Sequence, residues 1–222
     1  MSAPNPVSAR YDELSDDVVA SGTARIPVPT PANGETLHEL PQSSADDVRD
    51  AFARARLAQL AWARAGFAHR RAVLLRAHDL LLERREAMLD LIQLESGKTR
   101  GQAFEEIFEA AMVTRYNAVT ARRVLRGRRR RAGVPTVVTT RVRYRPKGVA
   151  GIVTPWNYAL SLAAMDVVPA LAAGCGVVQK ADDQGALSIL ALRRAFIDAG
   201  VPEALWAVVC GTPAEVGDTL TD

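Results

Sequence analysis

The chain has 222 residues, of which 48% are hydrophobic and 24% charged, and its formal net charge at pH 7 is +3. These values are typical of a folded protein with one large domain or parts of two, and they exclude a largely disordered chain. No apolar run reaches the roughly 20 residues of a transmembrane helix, and the first residues lack the basic start and apolar core of a signal peptide. We therefore expect a cytoplasmic protein that does not contact membranes.

Cysteines and histidines are few, and their spacing matches neither a disulfide framework nor a metal site. Cys175 and Cys210 each adjoin an apolar run, which predicts buried thiols. His38, His69 and His78 have no cysteine close to them in the sequence. The sequence therefore predicts no bound metal ion.

The N-terminal half is predicted to form an arm followed by three helices. Residues 1–43, rich in Pro, Ser and Thr, are expected to be an arm with short extended pieces. Ser44, just before two acidic residues, is a suitable helix N-cap. The helix that it starts has one apolar face, formed by Val48, Phe52, Ala55, Ala58 and Trp62. Two further helices are predicted over residues 68–95 and 101–125.

A strongly basic segment follows the third helix. Its arginines are Arg122, Arg123, Arg126 and the run from Arg128 to Arg131. Such a run can bind phosphate backbones, but it lacks interleaved aromatic residues, so we interpret it as an exposed loop and predict no binding to nucleic acid. In residues 134–145, Arg alternates with Val and Thr, which predicts a strand with one exposed face.

From Gly148 onward, apolar strands alternate with helices. Strands are predicted over 149–153, 177–180 and 206–209, and helices over 159–173, over 186–199 and from Pro213. This alternation is typical of right-handed crossovers around a parallel sheet. The predicted fold class is therefore α/β: N-terminal helices, then the first three β/α units of a Rossmann-like sheet that is truncated at Asp222.

Two glycine-containing segments resemble phosphate-binding motifs but lack the required context. The Gly-Lys-Thr segment at 97–99 has no earlier glycine at the required spacing and lies between two predicted helices, so we interpret Gly97 as a helix C-cap. The segment 174–179 lacks the third glycine of a dinucleotide fingerprint and precedes a strand, so it predicts a tight turn.

Residues able to bind a ligand follow each of the three predicted strands. Pro155-Trp156-Asn157-Tyr158 follow the first strand, Lys180 ends the second, and Gly211 follows the third. Ligands bind at the C-terminal ends of the strands in open parallel sheets, so these residues indicate a site at that edge. A strand-ending turn, an exposed lysine and ordinary glycine packing are the alternatives from spacing alone.

The Pro-Trp-Asn-Tyr run, the extended stretch 144–154 before it and Lys180 after it resemble the aldehyde dehydrogenase superfamily over most of the chain. The arginine-rich loop and the Arg-Pro-Lys-Gly-Val approach at 145–149 are most similar to the succinate-semialdehyde dehydrogenase branch. The resemblance implies an N-terminal arm at 1–43 and a helical part of the cofactor-binding domain at 44–132. It also implies an oligomerisation-type β segment at 133–147, an incomplete Rossmann-like NAD(P)-binding half at 148–222, and a homo-oligomeric parent protein.

The resemblance further implies roles for residues beside the reacting aldehyde. Asn157 matches the asparagine whose amide donates a hydrogen bond to the aldehyde oxygen as that oxygen becomes an oxyanion. A fixed neutral donor in a dry site stabilises such a charge, typically by about 3 kcal/mol. Trp156 and the backbone of Val153, Thr154 and Pro155 match positions that line the ribose and nicotinamide of the cofactor.

Other matching positions would bind the rest of the cofactor. Lys180 matches the lysine that hydrogen-bonds the adenosine ribose, and Asp183 occupies the position that helps to decide between NAD and NADP. A carboxylate accepts from a 2′-hydroxyl but repels a 2′-phosphate, so the sequence leans to NAD, although family members with an acid there can use both. Gly211 and Gly217 flank the start of the last helix, which in the family lies against the cofactor, and Gly217 matches a position of close backbone approach.

Several positions beside the cofactor depart from the family pattern. Ala159, Ala181 and Ala186 stand where the family usually has prolines, Gly185 where it has threonine, and Pro213 where many members have glycine. Because fewer prolines leave a loop with more conformational freedom, these loops are expected to be more flexible than in the family.

In this family a cysteine thiolate attacks the aldehyde, hydride passes to the nicotinamide, and a glutamate-activated water hydrolyses the thioester. Neither Cys175 nor Cys210 matches the nucleophile, which together with the glutamate is expected beyond Asp222. The resemblance therefore implies the cofactor-binding portion of an NAD(P)-dependent dehydrogenase, with succinate semialdehyde as the expected substrate and no activity from this chain alone. The alternative is a non-catalytic remnant that binds a nucleotide or a partner subunit.

Overall fold

The computed structural model describes residues 6–134 and 136–221, with side chains from Tyr11 onward. Where the sequence indicates an irregular arm, Pro6–Ser15 form helix α1, while Arg25–Pro29 (β1) and Thr36–Pro41 (β2) pair as an antiparallel hairpin. The extended pieces are confirmed, and residues 1–5 lie outside the described residues. The prediction missed α1 because tertiary packing holds this short helix: Tyr11 packs with Leu91 and Leu187.

Helix α2 spans Ala45–Arg64 and begins where the sequence predicts. The Ser44 side chain accepts a hydrogen bond from the Asp47 backbone N–H at 3.2 Å, and the Asp47 carboxylate accepts one from the Ser44 backbone N–H at 2.8 Å. This reciprocal capping box satisfies two N–H groups that the helix itself leaves without partners. The predicted N-cap is therefore confirmed.

The helix predicted over 68–95 is two helices, α3 at Gly66–Glu83 and α4 at Arg85–Ser96. Arg84 lies between them with φ −99° and ψ 9°, and its guanidinium donates to Asp198 at 2.6 Å. The apolar spacing continues through the break, so the sequence pattern did not indicate it. Gly97 ends α4 in the left-handed conformation with φ 69°, which confirms the predicted C-cap. Helix α5 then spans Arg100–Val124.

The predicted strand at 134–145 is wrong in extent. Only Thr140–Val142 (β4) is a strand, and it pairs antiparallel with Arg128–Arg130 (β3), which lies inside the predicted basic loop. In this pairing Arg129 lies opposite Arg141. The pattern misled because neither strand is covered by another layer, so no apolar face sets its length. Residue 135 lies outside the described residues.

The C-terminal half is a parallel sheet with strand order β5-β6-β7, formed by Val149–Thr154, Gly176–Ala181 and Trp206–Val209. Helix α6 (Ala159–Ala173) joins β5 to β6, and helix α7 (Ala186–Asp198) joins β6 to β7. These five elements confirm the predicted bounds to within one residue. From Pro213 the chain forms a π-helical turn, Pro213–Gly217, and then helix α8, Asp218–Thr221.

Helices cover both faces of the sheet. On one face, Val48, Ala51 and Ala55 of α2 pack with Val178 and Val209. On the other face, the mostly buried helices α6 and α7 lie between the sheet and α3, α4 and α5. Because α6 is buried, its polar ends depend on side chains from other helices.

Three side chains from other helices donate hydrogen bonds at the C-terminal end of α6. Gln59 donates to the carbonyl oxygen of Gly174 at 2.8 Å, the Trp62 indole donates to Leu171 at 2.9 Å, and Arg70 donates to Ala172 at 3.0 Å. The last carbonyl groups of a helix lack partners within it, so these contacts satisfy groups that would otherwise be buried without a hydrogen bond.

Both cysteines are buried, as the sequence predicts. Burial raises the pKa of the Cys210 thiol, which disfavours the nucleophilic thiolate. Cys175 precedes β6 and therefore lies at the N-terminal edge of the sheet, opposite the edge that carries Asn157. Among the described residues, no helix combines the length and the apolar character needed to cross a membrane.

Candidate cofactor and aldehyde site

The sheet places the predicted site residues on one edge. Thr154 at the end of β5 pairs with Ala181, and Lys180 near the end of β6 pairs with Val209 at the end of β7. Because the three strands are parallel, the residues that follow them share the C-terminal edge of the sheet. This edge is where ligands bind in sheets of this type.

The first strand ends in an exposed loop that carries Asn157. The Val153 and Trp156 side chains are 64% and 53% exposed, whereas Thr154 is buried beneath them. Pro155 and Asn157 are exposed as well. Within the described part of the chain, the side-chain amide of Asn157 makes no hydrogen bond, so its donor is free to bind a ligand.

The second and third strands bring Lys180, Asp183 and Gly211 together. The Lys180 Nζ lies 3.9 Å from the Asp183 carboxylate, which accepts a hydrogen bond from the Gly211 backbone N–H at 3.2 Å. Partial burial raises the pKa of Asp183, and the neighbouring Lys180 opposes that rise. Gly211 has φ 152°, a conformation that favours glycine. One donor and one acceptor are therefore held beside each other at this edge.

Gly217 lies in the π-helical turn at Pro213–Gly217. A Cβ at this position would approach only the Pro213 Cβ, at 3.9 Å, so packing within the described residues does not require glycine there. The start of this turn is closed by a capping box, in which the Glu215 carboxylate accepts from the Thr212 backbone N–H at 3.1 Å and from its hydroxyl at 2.8 Å.

A buried hydrogen-bond chain, which the sequence did not indicate, crosses the sheet just below the edge. The Gln179 side chain donates to the Thr154 hydroxyl at 2.9 Å and accepts from the Trp206 indole at 2.9 Å. Gln179 is fully buried. A buried glutamine needs partners for both ends of its amide, and here it links all three strands at the level of the site.

Two buried glutamates, which the sequence also did not indicate, occupy the N-termini of α6 and α7. Glu106 on α5 accepts from the backbone N–H groups of Leu160 at 3.0 Å and Ser161 at 3.4 Å. Glu95 on α4 accepts from the backbone N–H groups of Leu187 at 2.7 Å and Ser188 at 2.8 Å. The sequence signal for them would have been a glutamate within the apolar face of each helix, which indicates a buried carboxylate with polar partners. Both helix N-termini beside the sheet edge are thus already bound to carboxylates.

The two glutamates differ in electrostatic surroundings. Glu106 is paired with Lys98, whose Nζ lies 2.5 Å from its carboxylate. Among the described residues no cation is paired with Glu95, and burial raises its pKa to about 7, against the lowering effect of its hydrogen bonds to Ser188 and Leu187.

Lys98 also contacts the loop that carries Asn157. Its ammonium donates to the backbone carbonyl oxygen of Asn157 and lies 3.6 Å from the centroid of the Tyr158 ring. Gly97 is the helix C-cap that the sequence predicts, whereas the sequence indicates no function for Lys98. Only the fold brings this lysine beside the loop.

Ala159 and Gly185, two of the residues that depart from the family pattern, lie against each other. A Cβ at Gly185 would come within 2.5 Å of the Ala159 Cβ and 3.6 Å of the Trp156 Cα. The two small residues therefore allow the turn after β6 to approach the loop after β5 closely. Among the residues that the structure describes, no group of three or more histidine, cysteine or acidic side chains is placed to hold a metal ion.

Comparison with known proteins identifies the fold as that of an oxidoreductase family. A match to the Aldehyde dehydrogenase family covers residues 18–222, and the chain belongs to this family. It is 39% identical over 222 residues to the Mycobacterium tuberculosis H37Rv protein named "Putative succinate-semialdehyde dehydrogenase [NADP(+)] 2". That match covers 99% of the chain and 43% of the relative, so the chain spans less than half the length of this curated relative.

Solved structures give the same result. The NAD-dependent benzaldehyde dehydrogenase of Corynebacterium glutamicum superimposes with a TM-score of 0.85 at 33% identity, covering 91% of this chain and 44% of that one. The NADP-dependent glyceraldehyde-3-phosphate dehydrogenase of Bacillus halodurans C-125, complexed with NADP, has a TM-score of 0.85 at 34% identity, covering 90% and 43%. The resemblance to the family and the α/β fold with a three-stranded parallel sheet are confirmed.

Proposed function

We propose that the chain is the cofactor-binding portion of an NAD(P)-dependent aldehyde dehydrogenase that oxidises succinate semialdehyde, or a similar short aldehyde, to the carboxylate. The observation that carries the proposal is the side-chain amide of Asn157, unpartnered among the described residues, on the same sheet edge as Lys180 and Asp183. The relative named a succinate-semialdehyde dehydrogenase supports the substrate class. The nucleophilic cysteine and the general-base glutamate would come from the part of the parent protein that this chain does not contain, so the chain alone is proposed to be inactive.

The residues at the edge fit a nicotinamide dinucleotide. Lys180 offers a donor and Asp183 an acceptor, which suits the two hydroxyls of a ribose. Gly211 donates its backbone N–H to the Asp183 carboxylate and so sets the position of that acceptor. Val153, Thr154, Pro155 and Trp156 would form the wall beside the nicotinamide. When bound, the dinucleotide accepts the hydride removed from the substrate.

Asn157 would act on the aldehyde itself. Its amide N–H would donate a hydrogen bond to the carbonyl oxygen, and that bond strengthens as the oxygen gains negative charge. A donor held in place before the reaction requires no reorganisation when the charge develops. Loss of one such donor in other enzymes lowers kcat by about 10²–10³-fold.

Two observations point in opposite directions on the choice between NAD and NADP. The Asp183 carboxylate would repel the 2′-phosphate of NADP, which favours NAD. Against this, the mycobacterial relative carries NADP(+) in its name, and solved relatives are described as NAD-dependent or NADP-dependent. We propose that the site binds both dinucleotides and that Asp183 limits the affinity for NADP.

The direct test is a titration of the purified chain with NAD and NADP, followed by tryptophan fluorescence. Trp62 and Trp206 are buried while Trp156 is exposed beside the proposed nicotinamide position, so quenching should report mainly on Trp156. We expect saturable quenching that weakens about tenfold in Lys180→Ala, because hydrogen bonds to a charged group are worth about 1.5 kcal/mol or more. Lys147→Ala, which removes an exposed charge in the segment before β5, is the matched control. Equal affinity in the two variants would exclude the proposed role of Lys180.

The alternative function, a non-catalytic remnant that binds a partner subunit, is favoured by one observation. Helix α5 carries an exposed apolar stripe at four-residue spacing, formed by Phe104, Phe108, Met112 and Tyr116. Sedimentation of the chain alone and mixed with a full-length dehydrogenase subunit distinguishes the two functions. A stable complex without dinucleotide binding to the free chain would support the remnant. The proposed oligomerisation segment at 133–147 and a cytoplasmic location stay predictions.

A further inference from the structure

Lys98 is a largely buried cation with three partners. Its side chain is 15% exposed, and its ammonium contacts the Glu106 carboxylate, the backbone carbonyl oxygen of Asn157 and the face of the Tyr158 ring. Two of these partners belong to the loop that carries the proposed oxyanion donor. The lysine itself lies in the connection between α4 and α5, far from that loop in the sequence.

The backbone of Lys98 is fixed on both sides. Its N–H donates to the Ser96 hydroxyl at 3.3 Å, and its carbonyl oxygen accepts from the Gln93 side chain at 3.3 Å. Gly97 precedes it in the left-handed conformation, and a Cβ there would meet Pro31 at 3.3 Å. The lysine side chain therefore starts from a backbone that is held without help from the loop that the ammonium contacts.

Glu106 joins the lysine to helix α6. One carboxylate oxygen accepts from Lys98 at 2.5 Å, while the other accepts from the backbone N–H groups of Leu160 and Ser161. The Glu106 side chain is 2% exposed. A carboxylate this deeply buried needs a partner on each oxygen. Lys98 and Glu106 together therefore hold the segment from Asn157 to Ser161: Lys98 contacts its first residue, and Glu106 contacts its last two.

We infer that Lys98 and Glu106 are positioning residues for the Asn157 amide, an inference that rests on the proposed oxyanion role of that amide. The ammonium holds the carbonyl of the same residue whose side chain must meet the substrate oxygen. The ammonium also lies against the Tyr158 ring, and the Glu106 carboxylate holds the start of α6. Small displacements of a reacting group can cost about 100-fold in rate. Holding the backbone of Asn157 limits the positions that its side-chain donor can take.

Neither residue touches the reacting atoms in this arrangement. Their action is through Asn157, and its measurable signature is restricted motion of that amide. The neutral variant Lys98→Met keeps the length and apolar stem of the side chain but removes all three contacts of the ammonium. Lys98→Arg keeps the charge, and Lys147→Met removes an exposed charge in the segment before β5.

The experiment is nuclear magnetic resonance relaxation on the isotope-labelled chain, with the Asn157 amide assigned through Asn157→Asp and the Trp156 indole through Trp156→Phe. The wild-type chain and Lys147→Met should show an ordered Asn157 amide. In Lys98→Met the order parameters of the Asn157 amide and the Trp156 indole should fall below about 0.6, and Lys98→Arg should restore most of that loss. The buried Trp62 and Trp206 indoles serve as internal controls and should stay rigid throughout.

If Lys98→Met alone does not fold, the double variant Lys98→Met with Glu106→Gln decides, because it leaves no buried charge unpaired and keeps an acceptor for α6. An Asn157 amide that is mobile in the wild-type chain, or that stays ordered in the neutral variants, overturns the inference. Failure of the dinucleotide titration would overturn the proposed function instead, since amide order is measured without cofactor.

Discussion

Glu95 and Glu106 perform the same structural task in different electrostatic surroundings. Each is a buried glutamate on one helix that accepts the first backbone N–H groups of another, α7 for Glu95 and α6 for Glu106. Within the part of the chain that the structure describes, a lysine is paired with Glu106 but not with Glu95. The comparison shows that hydrogen bonds suffice to place a carboxylate at a buried helix N-terminus, whereas its charge state depends on whether a cation lies beside it.

The largest expected effect comes from removing that cation. Lys98→Met would leave Glu106 as a buried carboxylate without a charged partner, which typically costs about 3–5 kcal/mol in the free energy of unfolding. Urea unfolding at neutral pH, followed by circular dichroism, measures the loss. Lys147→Met should change stability by less than about 0.5 kcal/mol. A similar small change in both variants would show that Glu106 does not need Lys98.

The second prediction concerns the unpaired member of the comparison. Because the pKa of Glu95 is raised to about 7 in the folded protein, the folded state holds its proton at pH values where the unfolded chain, with the usual pKa near 4.5, has lost it. Stability from this group is therefore full below pH 4.5 and is lost as the pH rises to about 7. The loss amounts to about 3 kcal/mol.

Measuring the free energy of unfolding from pH 4 to pH 8 in the wild-type chain and in Glu95→Gln tests this prediction. The variant should lack the decline between pH 4.5 and 7, while Glu105→Gln, at an exposed position on α5, should keep it. A decline of the same size in all three proteins would assign the pH dependence to other groups.

The smallest effect is expected at Asp183, a third carboxylate that has a lysine nearby but lies at the open edge. Asp183→Asn keeps an acceptor for the Gly211 backbone N–H and removes the charge that would face a 2′-phosphate. The Kd for NADP should fall about fivefold relative to the Kd for NAD, since an exposed charge interaction is worth up to about 1 kcal/mol. The fluorescence titration measures the ratio, and an unchanged ratio would remove Asp183 from cofactor selection.

The sequence predicted the parallel sheet well because β5, β6 and β7 are short apolar runs separated by helices, a pattern that burial on both faces imposes. It failed at the β3–β4 hairpin, where exposed arginines leave no apolar face to define the strands. It also failed at Arg84, where a tertiary ion pair accompanies the bend without changing the apolar spacing. Local patterns predict elements only where the core decides their limits.

The same distinction holds for the candidate site. Asn157, Lys180 and Asp183 were proposed as site residues because they lie at the ends of strands in a motif that resembles a known family. Lys98, Glu95, Glu106 and Gln179 were not, because each acts on a segment that is distant in the sequence. No spacing rule connects Lys98 to Asn157, and only the packing of α5 against α6 brings them together.

The side chains at the ends of α6 have a consequence for how the chain unfolds. Gln59, Trp62 and Arg70 satisfy its C-terminal carbonyl groups, and Glu106 satisfies its first N–H groups. The helices before the basic hairpin and the segment that contains α6 and the sheet therefore depend on each other, because each supplies hydrogen-bond partners to buried polar groups of the other. We therefore expect the two segments to melt together in one cooperative transition, with no partly folded state in which the sheet survives alone.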